Sequence, residues 1–413
     1  MRSFSLPALL FSCAMLLASV PGCPAGEAPQ PDDHGRGGES LGRYMFDAPE
    51  PFTDVGTLDT PRLVMPHRGE VHLVYLLHDG SSQRIMYSRL EGGEFRPATY
   101  LSQREGRKTG GGFLAARSAD DLVTYWINVT AAGGQLYYKS SDDGGRTFTL
   151  EARWNDRGEA RWPCVLPIGN EMVAYFFARS GDDWELLAHR GFGGGDEPTI
   201  DVAQGNPFHL QGVTDGSQRV RFAYFVRRPN ADGGRIAFLT SEDGGKQFIR
   251  RYLFEDRVIP NLTSFFSLAR TQHPDGRVKE TLHLVFTEES PDLTTIYYSR
   301  SEDGGATFTT PVAMISSEDP LTSSPVLVAN RQYVLIATAD ADDEGPALRY
   351  VFSEDMGKSF HPPAIATRSV TDPETISGVM DDNGTVLLVW DDFARVGELG
   401  EQLCKLRGTL RGK

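Results

Sequence analysis

The residues of this 413-residue chain best suited to chemistry are carboxylates and guanidinium groups that flank short apolar runs at regular intervals. Asp79 follows the run Val71 to Tyr75, Arg228 follows Val220 to Tyr224, Glu288 follows Leu282 to Phe286, and Asp392 and Arg395 follow Val386 to Trp390. Arg62 and Arg161 stand ahead of comparable runs. Carboxylates held in a cleft can give and take a proton, and a guanidinium fork grips a carboxylate or sulfate through two parallel hydrogen bonds. Trp126, Trp162 and Trp390 offer flat apolar faces. Donors, acceptors and flat faces together suit a carbohydrate, and neither a metal nor a cofactor is expected.

The elements that must position these groups repeat. The apolar runs start at Val71, Leu122, Met172, Val220, Leu282, Tyr333 and Val386, so successive starts lie 51, 50, 48, 62, 51 and 53 residues apart. Another short strand precedes each run, and a hairpin and an outer strand follow it. A period near 50 with four short strands per unit predicts an all-β propeller. Seven four-stranded blades are expected, with six as the alternative. The long fourth spacing is assigned to a polar insertion over residues 271–279. The last unit ends near Leu410 with no room for an outer strand, so a strand near Tyr44 to Phe52 is expected to close the ring. In such a ring, the loops entering the inner strands and those joining second to third strands share one face, the mouth of a central funnel. The substrate-binding candidates there are Arg62, Arg161, Arg228, Arg395, Asp392 and Trp126.

Four hairpins carry one pattern. Ser141-Asp142-Asp143-Gly144-Gly145-Arg146-Thr147-Phe148 recurs as Ser241-Glu242-Asp243-Gly244-Gly245-Lys246-Gln247-Phe248, as Ser301-Glu302-Asp303-Gly304-Gly305-Ala306-Thr307-Phe308 and as Ser353-Glu354-Asp355-Met356-Gly357-Lys358-Ser359-Phe360. Gly supplies the positive φ of a tight turn, and the Asp carboxylate can accept N–H groups of its own loop. Asp143, Asp243, Asp303 and Asp355 are therefore read as structural and not catalytic. The terminal Phe is expected to tuck beneath the turn. Two further units hold shortened forms, Tyr87 to Phe95 and Arg190 to Gly195.

This pattern resembles the Asp-box, or BNR, repeat of the sialidase superfamily of β-propellers. The resemblance implies a site in which three arginines hold the substrate carboxylate, an Asp acts as acid and base, and a Glu-activated Tyr is the nucleophile. Arg62 matches the first arginine in place but stands in Pro61-Arg62-Leu63 and not in the family's Arg-Ile-Pro. Asp79 falls where the acid/base belongs, and Glu288 is the second candidate catalytic carboxylate. No Tyr-Glu pair matches, and the family proper uses six blades. Two readings follow: a propeller that recognises glycans or an envelope protein partner through its funnel face, and an exo-acting glycoside hydrolase on acidic sugars.

The first residues suggest where this happens. A charged start, an apolar run from Phe4 to Leu17 and Val20-Pro21-Gly22-Cys23 describe an export signal too short to anchor in a bilayer. Cys23 resembles a lipobox cysteine, so residues 1–22 are expected to be a signal peptide and Cys23 the lipidated first residue at the bacterial envelope; ordinary cleavage beside an incidental Cys is the alternative. Residues 23–42, rich in Pro and Gly, read as a disordered tether, and 43–413 as one propeller domain, expected to be a monomer. With 56 acidic against 41 basic residues, the net charge of -15 argues against nucleic acid as partner and against any membrane contact beyond the anchor. Cys164 and Cys404 are read as buried apolar residues.

Overall fold

The computed structural model describes residues 43–411 except 54–56, 68, 80–81, 103–107, 132, 156–158, 181–182, 193–194, 202–204, 228–232, 256–258, 260–265, 272–279, 291, 319–322, 372 and 394–400. The expected polar insertion at 271–279 falls almost wholly outside the described residues, as do Cys23, Arg228 and Arg395.

Every described element is a strand, and the strands form seven antiparallel sheets. The inner strands of blades 1 to 7 are Thr57–His67, Lys108–Ala116, Ala160–Ile168, Asn206–Thr214, Phe266–Thr271, Val326–Asn330 and Ile376–Met380. Neighbouring inner strands touch in that order, and the seventh touches the first, which closes a seven-bladed propeller. Blade 7 takes its outer edge from the start of the chain, where Tyr44–Phe46 pairs with Leu410 to Gly408 and Glu50–Pro51 with Lys405 and Cys404. That closure leaves the last blade without a bare edge.

The core lies between the blades. Second strands such as Glu171–Ser180 and Val220–Arg227 are buried at every position from Met172 to Ala178 and from Val220 to Val226, because a neighbouring blade covers each face. β-branched and aromatic side chains fill these runs, as the pleated surface favours.

The four recurrent turns lie between third and outer strands of blades 2, 4, 5 and 6. In blade 2, Asp143 Oδ1 accepts the N–H groups of Arg146 and Thr147, each at 2.9 Å, and the Ser141 hydroxyl at 2.8 Å. Its Oδ2 accepts the Thr147 hydroxyl at 2.7 Å. The Thr147 bonds lead in holding the Asp143 carboxyl down to about 2. The same bonds from serine, backbone and threonine or serine hydroxyl recur around Asp303 and Asp355, and Asp243 has all but the last, where Gln247 stands.

The terminal Phe of each turn packs across the seam onto an aromatic ring of the preceding blade, and Phe248 also lies against Gly245 of its own turn. Phe148 meets Tyr87 at 4.8 Å between ring centroids, Phe248 meets Tyr175 at 6.0 Å, Phe308 meets Phe238 at 5.1 Å and Phe360 meets Tyr298 at 4.8 Å. The glycine at the fifth position of each turn lies against the same side chain: a Cβ added at Gly145, Gly245 or Gly357 would stand 1.7, 2.0 or 1.8 Å from the tyrosine hydroxyl, and one at Gly305 2.2 Å from the Phe238 ring. Two more seams reach the same result by other means. Phe192, in the shortened turn of blade 3, stacks on Tyr138 at 4.9 Å, and Phe46 of the closing strand meets Tyr350 at 5.2 Å. Six of the seven seams thus close on an aromatic clasp at the recurrent-turn level, and at the seventh Phe52, bonded to blade 7, stacks on Phe95 of blade 1 at 4.6 Å between ring centroids.

Two clasps carry a buried histidine. His283 Nδ1 bonds the Tyr298 hydroxyl at 2.7 Å and His72 Nδ1 bonds that of Tyr87 at 2.7 Å. Burial, with a smaller contribution from Arg300, pushes His283 down to about 3. Between blades 4 and 5 the buried Arg221 donates to Gly304 O at 2.8 Å and Ser241 O at 2.6 Å, while the buried Glu280 carboxylate lies 3.4 Å from Arg221 and 2.7 Å from Arg270.

Candidate functional site

At the face opposite the recurrent turns, the inner strands of blades 1 to 4 break register at the same level. Pairing with the second strand slips between Asp59 and Arg62, Thr109 and Gly112, Arg161 and Cys164, and Phe208 and Gln211. Each bulge contains one left-handed residue: Thr60 at φ 49°, Gly111 at 73°, Trp162 at 51° and His209 at 52°. A non-glycine residue in that region is strained by about 1–3 kcal/mol and persists only where its surroundings over-determine it. Bulges of this kind re-aim side chains.

The bulges bring neighbouring inner strands into contact around the funnel. Thr60 of blade 1 lies against Gly111 of blade 2, where its Oγ1 would be 1.9 Å from any added Cβ, so the second bulge accepts only glycine. The Trp162 ring of blade 3 lies 4.4 Å from the His209 ring of blade 4 and 6.2 Å from Phe208. Arg62, half-buried beside the first bulge, reaches over the Phe113 ring at 6.0 Å. Burial and then the positive charge of Arg62 lower His209 to about 4, so its imidazole is neutral at pH 7. Arg62, the Trp162–His209 step and Phe113 thus form a crescent with one cation, a neutral imidazole and flat apolar faces.

The other candidates fall differently. Arg161 is bound to Glu159 at 2.7 Å and lies over the Trp184 ring at 4.8 Å, so its charge is already balanced. Asp79 ends the second strand of blade 1, Glu70–Asp79, opposite Ser82, and Glu288 lies half-buried in the second strand of blade 5, Thr281–Ser290, opposite Thr295. These two carboxylate positions belong to blades three steps apart around the ring. Trp126 corrects its expectation: it is completely buried between blades 1 and 2 among Val74, Leu76, Ile85 and Tyr137, so its face is closed to any ligand. Asp392 is also corrected. It is buried and accepts the Thr371 N–H at 2.8 Å and the Trp390 indole N–H at 3.3 Å, while Asp391 accepts Thr375 N–H at 2.7 Å, so both carboxylates staple the chain entering blade 7.

On blade 6 the mouth closes on ion pairs. Arg349 lies 2.8 Å from Asp340, and Arg368 reaches Asp342 through two bonds of 2.9 and 3.0 Å. The Arg368 bonds lead in holding Asp342 down to about 2. Between blades 2 and 3 burial pushes the Tyr125 phenol far up, and its hydroxyl accepts the Val165 N–H at 3.2 Å. Cys404 is buried as expected, its thiol pushed up to about 12, whereas Cys164 is half-buried. Among the described residues no cluster of His, Cys, Asp and Glu has the arrangement of a metal site.

Sequence reasoning missed His209. Its signal was the repeat itself, since Thr60, Gly111, Trp162 and His209 stand 51, 51 and 47 residues apart.

Fold and mouth together define a seven-bladed β-propeller with a strained crescent at one face. No family model matches the sequence, and no curated protein matches it either. In structure the chain is similar to an ulvan lyase, a polysaccharide lyase bound to -[GlcA(1-4)Rha3S]-, with a TM-score of 0.55 at 10% identity over 86% of this chain and 94% of that one. It also resembles, with TM-scores of 0.46 and 0.43, an α-L-arabinofuranosidase from Fusarium graminearum (13% identity, 71% of this chain, 91% of that) and the endosialidase of phage phi92 (9% identity, 89% of this chain, 69% of that). At these identities the likeness is one of fold.

Proposed function

We propose that this protein is an envelope-anchored propeller of the sialidase superfamily, tethered through Cys23, that recognises an acidic glycan at the crescent of blades 1 to 4. Arg62 pairs with the carboxylate or sulfate of the sugar, and Trp162 offers its ring to a sugar face with His209 as a neutral hydrogen-bonding neighbour. The observation that carries the reading is the run of strained bulges along the inner strands of blades 1 to 4, with Arg62 beside the first and the Trp162–His209 step on the third and fourth. The fold shared with a lyase that binds a uronate-bearing polysaccharide supports it.

The test is calorimetric titration of the mature protein with uronate-bearing, sialylated and neutral oligosaccharides. Acidic sugars are expected to bind and their neutral counterparts not, and Arg62→Ala is expected to weaken binding about 10- to 100-fold, the worth of a charge-assisted hydrogen bond. Equal binding of neutral sugars, or an unchanged Arg62→Ala, would overturn the assignment. The same preparation is assayed against fluorogenic glycosides, sialosides included. Turnover lost in both Arg62→Ala and Asp79→Ala would replace this reading with an exo-acting glycoside hydrolase.

A further inference from the structure

The seventh seam differs from the other six in the residue at one third-strand position. In blades 1, 2, 4, 5 and 6 the clasped ring is the third-strand residue opposite Val74, Tyr125, Ala223, Val285 or Ala337, namely Tyr87, Tyr138, Phe238, Tyr298 or Tyr350. In blade 3 the ring is Tyr175, directly across from that position at Ala188. In blade 7 the same position, opposite Val389, is Lys405. Blade 1 supplies only the short hairpin Glu91 to Glu94, whose terminal Phe95 stacks on Phe52 beside blade 7 and not on the third-strand position.

A cavity of about 400 Å³ opens beside Lys405, within the size range of small-molecule sites. Its walls are Met65, Val71 and Leu90 of blade 1 and Val379, Val386 and Leu387 of blade 7. Lys405 lines it with its side chain 9% exposed, and its ammonium donates to Gly93 O at 3.0 Å and Glu94 Oε2 at 2.8 Å, with Glu50 Oε2 at 3.2 Å. Those two carboxylates are 73% and 62% exposed. Asp47, Asp381 and Arg407 also line the cavity, and the Asp381 carboxylate is occupied by the N–H groups of Asn383 and Thr385 at 2.9 and 2.8 Å.

We propose that this seam is a binding site for a small amphipathic carboxylate, its acyl or aryl body against the apolar walls and its head group on Lys405. An exposed ion pair contributes little, so Glu94 and Glu50 yield Lys405 to an incoming carboxylate, and the ammonium keeps an anionic partner throughout. The apolar body then displaces water from the valine and leucine walls, which the glutamates cannot do.

The experiment is titration of the full chain with decanoate, decanol and decylamine. Decanoate is expected to bind at least about tenfold more tightly than decanol, a margin that a hydrogen bond to a charged group supplies, and decylamine more weakly still. Lys405→Met should erase the margin. Glu94→Gln, at an exposed position, should tighten decanoate by about 1.5- to 5-fold, the worth of a surface ion pair. Equal binding of decanoate and decanol, tighter decylamine, unchanged affinity in Lys405→Met or no binding of decanoate would each overturn the proposal. Acidic-glycan binding at the mouth is expected to be unchanged in Lys405→Met, which separates the two sites.

Discussion

The aromatic clasp makes a prediction that isolates it from backbone effects. Gly357 and Gly216 have nearly the same conformation, φ 75° and 81°, and an alanine at either is strained by about 1–2 kcal/mol. They differ in what a new Cβ meets: nothing within 4 Å at Gly216, but the Tyr298 hydroxyl at 1.8 Å at Gly357. To admit it, Tyr298 must swing away. Its bond to His283, 2.7 Å long and buried, is then lost at about 1–3 kcal/mol, and the edge contact with Phe360 at about 0.5–1.5 kcal/mol. Gly357→Ala is therefore expected to cost about 3–6 kcal/mol and Gly216→Ala about 1–2 kcal/mol, read from urea unfolding midpoints. In a Tyr298→Ala background the Gly357→Ala cost should fall to that of Gly216→Ala, because the obstacle is gone. Equal costs in the wild-type background would refute the clasp as a stabilising contact.

Two further outcomes follow from the seams. His283 is neutral in the fold, pushed down to about 3, while an unfolded histidine titrates near 6.5. Its contribution is therefore whole above pH ~6.5 and declines as pH falls toward 3, at about 1.4 kcal/mol per unit. Between pH 7 and pH 5 the wild type should lose about 2 kcal/mol more than His283→Gln, and parallel pH profiles would contradict this. Removing Glu280 in Glu280→Ala takes the shared carboxylate from the Arg221 and Arg270 cations between blades 4 and 5 and leaves Arg221 paired with the exposed Glu242. A loss of about 3–5 kcal/mol is expected in the same unfolding assay, and a loss under about 1 kcal/mol would show the pair to be dispensable.

The ring was legible in the sequence because the turn that builds it is local. Ser, Asp, Gly and the Thr or Ser hydroxyl satisfy one another within seven residues, so their spacing alone announces Asp143, Asp303 and Asp355 as structural. The clasps were not legible. Tyr298 meets Gly357 and Tyr175 meets Gly245 across 59 and 70 residues, and each ring looks in sequence like any strand aromatic. Trp126 shows the same limit from the other side: its place near the end of a strand suggested the mouth, but its face of the strand points into the seam between blades 1 and 2. Asp392 likewise had the composition of a binding residue, and only its bond to Thr371 reveals a staple.

The two faces of the ring also divide the work of stability. Thr60, Trp162 and His209 together hold strain on three inner strands, at about 1–3 kcal/mol each. Strain of that size persists where the blades cannot shift to relieve it. Blades 1 to 4 are joined by three consecutive clasps, Tyr87 with Phe148, Tyr138 with Phe192 and Tyr175 with Phe248, all at the opposite face. Beyond them the mouth differs and the far face does not: blades 6 and 7 carry closed ion pairs and backbone staples at the mouth, while aromatic clasps continue to blade 7, which meets blade 1 through the Phe52–Phe95 stack and Lys405. Aromatic closure thus stands behind the strained crescent and continues round the ring, so the blades that hold the strain are fixed from the face opposite it.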